Sequence, residues 1–388
     1  MFVDFIQNGR AYGEVGSQLA GCQYDPGMLR PYIDKHGQRC VTINAGMRYN
    51  HNTGKYEPHQ KKVLISDLQA RGINSPVFNA TSLRKEEWLQ LDTVVLRAAR
   101  QRLRAWSDLA AANSFGGFNG MSKMILEHET MSDPGEAIVD MDGLTSGRTD
   151  APKFQLEGLP LPITHSDFWF SARRLAVSRN TGTPLDTTMG EAAGRRVAEM
   201  IEKTYIGVET GITYGGASTY VGGYGRTSSV YGLTNFPSRL TKTNMTVPTG
   251  SNPEATVADV LAMRNSLYGN KFYGPFMVYH STDWDLYLDN DYARLGGNNA
   301  NMTLRDRLRA IEGITDVRRL DFLTSTFTMI LVQMTADVAR AVNGMDITTV
   351  QWESQGGMRV NFKVMCIQVP QLRADFNGNC GILHGTTA

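Results

Sequence analysis

The chain has 388 residues, of which 41% are hydrophobic and 20% are charged, and its formal net charge is +1. These are values of a globular protein with a sizeable core, and the length predicts two or three domains or one domain with long extensions. The near-zero net charge excludes a polybasic nucleic-acid binder as the default class. No apolar run approaches the roughly 18 residues of a membrane-spanning helix, and the first residues lack the basic flank of an export signal, so neither is expected.

The four cysteines, Cys22, Cys40, Cys366 and Cys380, are scattered and form no C-x-x-C pair. This usage predicts a protein made in a reducing compartment rather than a disulfide scaffold. A metal site shared by Cys22, His36 and Cys40 is the alternative, but the spacing fits no zinc pattern, so thiols without metal are expected.

Residues 1–80 are rich in Gly, Asn, Gln and Pro and show no sustained apolar period. They predict an extended arm with short strands, such as Arg39–Ile43 and Lys62–Ile65. Such a segment buries too little to fold alone, so it is expected to lie on its own body or on a neighbouring subunit.

A long helix is predicted from Leu83 to Leu109, with Ser82 as its N-cap. Its apolar positions recur every three or four residues, at Trp88, Leu91, Val95, Ala99, Leu103 and Trp106. Three arginines line one side of its second half, at Arg97, Arg100 and Arg104. A solvated surface or inter-subunit salt bridges would explain them, and contact with packaged nucleic acid is the alternative.

Residues 113–166 change character, with strand-like pieces at Ala137–Met141 and Lys153–Leu156 flanking the polar tip 143–150. The pattern predicts a long two-stranded ribbon. Because an isolated ribbon is marginal in water, a partner surface should stabilise it.

One long helix is predicted over 186–207, with a capping box formed by Thr188 and Glu191 and a left-handed cap at Gly207. Its apolar stripe consists of Ala193, Val197, Met200, Ile201 and Tyr205. Charged residues cover the remainder, at Glu191, Arg195, Arg196, Glu199, Glu202 and Lys203. The orders Glu191→Arg195 and Glu199→Lys203 are favourable for ion pairs one turn apart.

Glycines and tyrosines alternate through 205–232, but no phosphate-binding G-x-x-x-x-G-K-[ST] motif occurs there. A flexible loop that makes inter-subunit contacts is therefore expected, rather than a nucleotide site.

Residues 236–343 predict a compact α/β unit. Its expected helices begin at Pro253, Ser281 and Thr303, with a short fourth helix at Ala336–Val342. Its expected strands are Phe276–Tyr279, Thr315–Leu320 and Met329–Met334. A hairpin of Thr348–Glu353 with Met358–Val369 follows.

Reactive groups show no recognisable constellation: there is no G-x-S-x-G, no H-E-x-x-H and no Walker sequence, and the seven histidines are isolated from one another. No enzyme and no cofactor are therefore expected, although an α/β enzyme whose site is assembled only by folding stays an alternative.

Several of these segments together resemble a known family. The run from Asp186 to Gly207, followed by Tyr231–Pro237, resembles the encapsulin-like branch of tailed-phage major capsid proteins, which have the HK97-like fold. Further matching segments follow the family's chain order, at Glu86–Asp92, Gly274–Trp284, Ile311–Val317 and Asn379–Gly385. The resemblance extends from about Leu83 to the C-terminus.

The resemblance implies an α+β fold with an extended N-terminal arm (1–80), a helix leading into the peripheral domain (81–112) and an extended loop or β-ribbon (113–166). The implied fold then continues with a peripheral domain (167–235) that contains the spine helix 188–206. It ends with an axial domain (236–347) and with return strands and a C-terminal tail (348–388). The extended loop would contact a neighbouring subunit through Leu144, Arg148, Asp150 and Lys153. In some members a Lys of this loop is crosslinked to an Asn of a neighbour, for which Lys153 and Lys123 are the candidates.

The function that the resemblance implies is a major capsid protein that assembles through pentameric and hexameric capsomers into an icosahedral shell around double-stranded DNA. Its expected partners are itself, portal and scaffold proteins, a decoration protein as a further candidate, and packaged DNA through non-specific contact, with no membrane. It would reside in the virion capsid after synthesis in the host bacterial cytoplasm. An encapsulin nanocompartment shell protein enclosing a cargo enzyme is the alternative, and the long N-terminal arm favours the virion.

Overall fold

The described part of the chain comprises most residues from 30 onward. A computed structural model describes residues 30–50, 55–70, 83–100, 103–132, 139, 141–142, 151–181, 187–208, 220–221, 227–228, 230–247, 254–290, 303–323 and 327–387. Of the sequence predictions, the N-terminal 29 residues, Ser82, the ribbon tip 143–150 and most of the Gly-rich stretch lie outside these ranges.

The described residues alternate between helices and strands. The helices are α1 (Ile65–Ala70), α2 (Lys85–Arg100), α3 (Ala105–Ala112), α4 (Ala172–Thr181), α5 (Thr188–Ile206), α6 (Glu254–Gly269), α7 (Asp285–Leu288) and α8 (Leu304–Arg309), with 3-10 turns at Gly120–Ser122 and Thr282–Trp284. The first strands are β1 (Tyr32–Ile33), β2 (Arg39–Asn50), β3 (Lys55–Leu64), β4 (Leu83–Arg84), β5 (Ser114–Phe115), β6 (Ile125–Met131), β7 (Phe154–Pro160) and β8 (Thr164–Ser171). The later strands are β9 (Tyr220–Val221), β10 (Thr227–Ser228), β11 (Leu240–Lys242), β12 (Phe276–His280), β13 (Ile314–Arg319), β14 (Met329–Gln333), β15 (Ala339–Ser354), β16 (Arg359–Leu372) and β17 (Ile382–Gly385).

A five-stranded mixed sheet in the order β11-β17-β14-β12-β13 forms the centre of the α/β unit. Alternate residues of β12 enter two different cores: Phe276 and Val278 pack with α6, whereas Met277 and Tyr279 pack with α5. Because helices cover both surfaces of this sheet, all five residues of β12 are buried, which explains the uninterrupted apolar run. The three strands predicted in this unit are confirmed, and the last strand of the chain, β17, completes the sheet.

A second sheet, in the order β5-β15-β16-β8, contains the predicted C-terminal hairpin. The hairpin is longer than predicted, because β15 and β16 pair from Ala339–Leu372 to Ser354–Arg359, with register shifts between Asn343 and Thr348. The helix predicted at Ala336–Val342 is therefore wrong. Its C-terminal half is strand, since pairing with β16 on one side and β5 on the other overrides the local helical tendency.

The spine helix α5 runs from Thr188 to Ile206, as predicted, and ends at Gly207 in the left-handed conformation (φ 95°). It packs closely against α2 because two glycines leave no side chain between the helices. A Cβ on Gly190 would lie 2.6 Å from Leu91 Cδ1, and one on Gly194 would lie 2.8 Å from the backbone oxygen of Val95. These contacts fix the distance between the two helices.

Two details of the spine helix differ from the prediction. The N-cap is Thr187 rather than Thr188, and Thr187 makes no side-chain cap hydrogen bond, so the capping box is wrong. Met200, predicted in the apolar stripe, is 38% exposed, and Glu202, predicted on the charged side, is 3% exposed, so both predicted positions are wrong.

The helix predicted as one element over Leu83–Leu109 is instead two helices, α2 and α3. The apolar period continues across the break, so the sequence pattern alone does not reveal it. A carboxylate of the spine helix caps the new N-terminus, as described below.

Candidate assembly surfaces

The predicted ribbon is a two-stranded antiparallel pair of β6 and β7, joined in register from Ile125–Pro160 to Met131–Phe154. Its base is anchored, because Leu159 and Leu161 pack in a small core with Val342 and Ile367. Its far end is exposed: Met131 and Phe154 lie opposite each other and are 57% and 61% exposed. Such a cross-strand apolar pair in solvent is typical of a surface that another molecule covers.

The strand bounds differ from the prediction of Ala137–Met141 with Lys153–Leu156. The first strand is β6, and residues 139, 141 and 142 are not in a strand. Lys153 lies directly before β7 with an exposed side chain, and its backbone N–H donates to Ser132 Oγ at 3.0 Å. Leu144, Arg148 and Asp150 lie outside the described residues, so their contacts with a neighbour, and the crosslink through Lys153, stay predictions.

The N-terminal arm contains a second long antiparallel pair, β2 with β3. The predicted strands Arg39–Ile43 and Lys62–Ile65 are parts of it, and the strands are much longer, at 12 and 10 residues. Its base connects to the body: Tyr32 of β1 pairs with Cys40 and with Leu83, and Trp88 Nε1 donates to Pro31 O at 2.9 Å.

The predicted basic side of the first long helix is divided by the helix break. Arg97 is exposed on α2, Arg104 is exposed as the N-cap residue of α3, and the side chain of Arg100 lies outside the described residues. On the spine helix, Arg195 and Arg196 are exposed, and Arg195 pairs with Glu199 at 3.9 Å. Contact of these arginines with nucleic acid stays a prediction.

Behind these surfaces, Glu202 joins the spine helix to α3. Its carboxylate accepts the backbone N–H of Ala105 at 2.8 Å and that of Trp106 at 3.1 Å. These are two of the N–H groups that a helix N-terminus leaves unpaired, and the α3 N-cap residue, Arg104, offers no side-chain acceptor. Burial raises the pKa of Glu202 to about 7, against the opposing effect of these N–H donors.

Asp108 continues this junction from α3 to the five-stranded sheet. Its carboxylate accepts the hydroxyl of Tyr279 at 3.2 Å and pairs with Arg318 of β13. Arg318 also pairs with Asp316 at 2.8 Å. Burial raises the pKa of Asp108, and the positive charge of Arg318 opposes that shift. Carboxylates from α5 and α3 thus tie the spine helix, α3 and the sheet into one body.

A cleft of about 290 Å³ lies between the ribbon base, residues 236–238 and the end of β16. Its titratable pair is His128 with Glu157, whose Nε2 and Oε2 atoms are 3.3 Å apart. Burial lowers the pKa of His128, and Glu157 opposes this shift. The pair lies between the ribbon strands and joins β6 to β7.

The described residues contain no group of three or more His, Cys, Asp or Glu side chains able to hold a metal ion. Three of the cysteines, Cys40, Cys366 and Cys380, are free and buried, and Cys22 lies outside the described residues. Among the described helices, none has the length and apolar character needed to span a bilayer.

A family model described as "Family of unknown function (DUF6260)" matches residues 79–385. The chain belongs to this family. No curated protein sequence matches the DUF6260 chain.

Solved structures show the fold of this DUF6260 member. The virus-like particle from Pyrococcus furiosus is similar at 16% sequence identity with a TM-score of 0.51, over 78% of this chain and 100% of that chain. The capsid of Myoviridae phage XM1 is similar at 12% identity with a TM-score of 0.52, over 72% of this chain and 92% of that chain. The DUF6260 chain has the HK97-like fold of phage capsid proteins, as the sequence resemblance predicts.

Sequence reasoning missed the buried junction of the DUF6260 chain. Glu202 follows Ala198 by four residues and precedes Tyr205 by three, so the helical period places it beside the apolar stripe. This position in the helical period could have predicted the burial of Glu202. Its role as a hydrogen-bond acceptor could not be predicted, because Ala105 and Trp106 lie 97 and 96 residues away in the sequence.

Proposed function

We propose that this chain is the major capsid protein of a tailed bacteriophage, a shell subunit that assembles with copies of itself. The observation that carries the proposal is the HK97-like fold. The chain covers nearly the whole length of two particle-forming proteins, 100% of one and 92% of the other.

The shape of the subunit supports self-assembly. Two long β-ribbons, β2 with β3 and β6 with β7, connect to the body through β1 and through the core around Leu159 and Leu161. A two-stranded ribbon in water is marginal, so both are stabilised when they lie on neighbouring copies. Many such contacts, each of modest size, sum to a closed particle.

The finer proposal is that pentameric and hexameric capsomers form an icosahedral shell around double-stranded DNA in the virion. Arg97, Arg100 and Arg104 would contact the DNA without sequence preference. Leu144, Arg148, Asp150 and Lys153 would contact the neighbouring copy. Portal and scaffold proteins are the expected further partners, with a decoration protein as another, and the bacterial host cytoplasm is the site of synthesis. The protein would act by assembly and not as an enzyme.

An encapsulin-type compartment around a cargo enzyme is the second candidate. The observation that favours it is the match to the virus-like particle from Pyrococcus furiosus, which spans all of that chain. Isolated particles distinguish the two candidates, because a phage shell contains nucleic acid when it is packaged, whereas a compartment contains a cargo protein.

The proposal is tested by expressing the chain alone and examining it by size-exclusion chromatography and negative-stain electron microscopy. The wild type is expected to form closed shells or capsomer rings. A matched variant, in which residues 133–150 are replaced by a short Gly/Ser turn, should stay folded but give far fewer particles. A uniform small oligomer of the wild type under all conditions would reject the proposal and favour the soluble α/β enzyme.

A further inference from the structure

His280, the last residue of β12, is a completely buried histidine with 0% exposure. It follows Phe276 and Val278 at alternate positions, so its side chain lies on the side of the five-stranded sheet that packs with α6 and α8. Its ring nitrogens depend on protein neighbours rather than on bulk water, so these neighbours decide whether the ring is protonated.

The two ring nitrogens of His280 have different kinds of partner. Nδ1 lies 2.9 Å from the backbone oxygen of Ser281, which can only accept, so we assign the proton to Nδ1. Nε2 lies 3.5 Å from Nη1 of Arg305, which can only donate, so Nε2 is assigned as the unprotonated nitrogen. This arrangement fits a neutral ring, because a proton on Nε2 would place two donors against each other.

Arg305 of α8 connects the histidine to three further parts of the α/β unit. Its Nη2 donates to Asp285 Oδ1 of α7 at 2.9 Å, and its Nε donates to Asp289 Oδ1 at 2.6 Å. Its Nη1 also donates to the backbone oxygen of Val317 in β13 at 3.3 Å. We call His280, Asp285 and Arg305 the His280 cluster. The cluster joins α7, α8, β12 and β13.

Asp285 is the acceptor that a protonated His280 would use. Its Oδ1 lies 3.8 Å from His280 Nε2, while Arg319 of β13 holds its Oδ2 at 2.8 Å. Burial raises the pKa of Asp285, but hydrogen bonds from Arg319 and Arg305 outweigh this effect and leave the pKa below its ordinary value of 3.8. The carboxylate therefore stays negative in moderately acidic solution, where a protonated His280 and Arg305 would compete for the same oxygen.

The surroundings of His280 oppose its protonation. Burial lowers its pKa below 6.5 and the positive charge of Arg305 adds to this, whereas the carbonyl bonded to Nδ1 and the charges of Asp285 and Asp289 act in the opposite direction. Arg319 is the other charged group at the cluster, through its bond to Asp285. Because the buried ring binds its proton less readily than a free one, the closed arrangement is fully stable above about pH 6.5 and loses stability as the pH falls below that value.

We propose that the His280 cluster is an acid-sensitive switch, which holds α7 and α8 on the five-stranded sheet at neutral pH and releases them in acid. Protonation places a donor on Nε2, so Arg305 loses its contact with the ring and has to share Asp285 with it. The inference goes beyond the proposed function, because the switch lies within one subunit and does not require that subunits assemble.

Hydrogen exchange of the full chain tests the proposal at about pH 7.5 and pH 4.5. The rates are expressed as protection factors, which removes the intrinsic pH dependence of amide exchange. The reporters are the N–H of Asp289, which donates to Asp285 O at 3.0 Å, and that of Ala310, which donates to Asp306 O at 3.0 Å. Both should lose about tenfold or more in protection at pH 4.5, the factor that one pKa unit gives, while amides of β16 keep theirs.

Three variants assign the effect to the cluster. His280→Gln cannot titrate, so protection at both reporters should stay high at pH 4.5. Arg305→Gln removes the guanidinium, so protection should already be low at pH 7.5. Arg309→Gln is the matched control on the same helix, because Arg309 pairs with Asp316 at 2.8 Å and not with the cluster, and it should keep the wild-type response to pH.

Equal protection factors of the wild type at both pH values would overturn the proposal, and that measurement needs no variant. A loss at pH 4.5 in His280→Gln as large as in the wild type would assign the acid effect to other groups and overturn it too. If His280→Gln does not fold, Arg305→Gln decides, since wild-type protection of that variant at pH 7.5 would reject the role of the cluster. The proposed function is tested separately, because particle formation enters none of these results.

Discussion

Glu202→Gln tests whether the buried carboxylate of the spine helix is protonated at neutral pH. The pKa of Glu202 is about 7, against an ordinary value of 4.5. A raised pKa means that the folded chain binds a proton that the unfolded chain releases, so stability is highest below about pH 4.5 and falls as the pH rises to about 7. With about 1.4 kcal/mol for each pKa unit, this one group removes roughly 3 kcal/mol of stability across that window.

Glutamine keeps the shape of the side chain but cannot titrate. The free energy of unfolding, measured by urea denaturation of the dissociated chain between about pH 4.5 and 8, should therefore lose this part of its pH dependence in Glu202→Gln. The difference in the free energy of unfolding between the variant and the wild type should change by roughly 3 kcal/mol from about pH 4.5 to 8, and the variant should gain relative stability as the pH rises. Glu199→Gln makes the same chemical change on the outer side of the helix and should keep the wild-type slope.

A second readout is local. Hydrogen exchange at the backbone amides of Ala105 and Trp106 should be faster in Glu202→Ala, because both amides lose their acceptor. If the free energy of unfolding depends on pH in the same way for the wild type and for Glu202→Gln, the raised pKa of Glu202 is refuted. Unchanged exchange at both amides in Glu202→Ala would refute the capping role.

Three other predictions concern the packing and charges of the same fold. Gly194→Ala should lower the free energy of unfolding, measured by urea denaturation, by about 1–3 kcal/mol, because the new Cβ would lie 2.8 Å from the backbone oxygen of Val95. As the control, Gly269→Ala should be neutral or slightly stabilising, because its Cβ would meet nothing within 4 Å. Burial raises the thiol pKa to about 12 at Cys366 and about 11 at Cys380, so mass spectrometry should find neither thiol alkylated at neutral pH until the chain is unfolded. Asp285→Asn should lower the free energy of unfolding by about 2–3 kcal/mol, because the Asp285 carboxylate pairs with Arg305 at 2.9 Å and with Arg319 at 2.8 Å. An unchanged melting temperature in thermal unfolding would contradict this prediction.

Local sequence signals were sufficient to predict helix ends at which a residue beside the helix forms the cap. Gly207 ends the spine helix in a left-handed conformation, and the Thr303 hydroxyl accepts the N–H of Asp306 at 3.2 Å, both as predicted. The buried strand at Phe276 was also recognisable, because a run of apolar residues of that length fits a sheet covered on both sides.

The errors arose where a distant segment decided the outcome. The α2–α3 break and the burial of Glu202 have the same cause, because the Glu202 carboxylate of α5 caps the N-terminus of α3. The two groups are almost a hundred residues apart in the sequence. The strand at Ala339 likewise depends on pairing with Leu372. Neither partner is visible in a local window, so a single sequence predicts the elements better than their junctions.

Cryo-electron microscopy of the wild-type protein expressed alone shows whether this chain is a shell subunit. We expect closed icosahedral particles whose subunits have the described fold, with both β-ribbons lying on neighbouring copies. A homogeneous dimer or tetramer, with both ribbons packed on their own subunit, would contradict it.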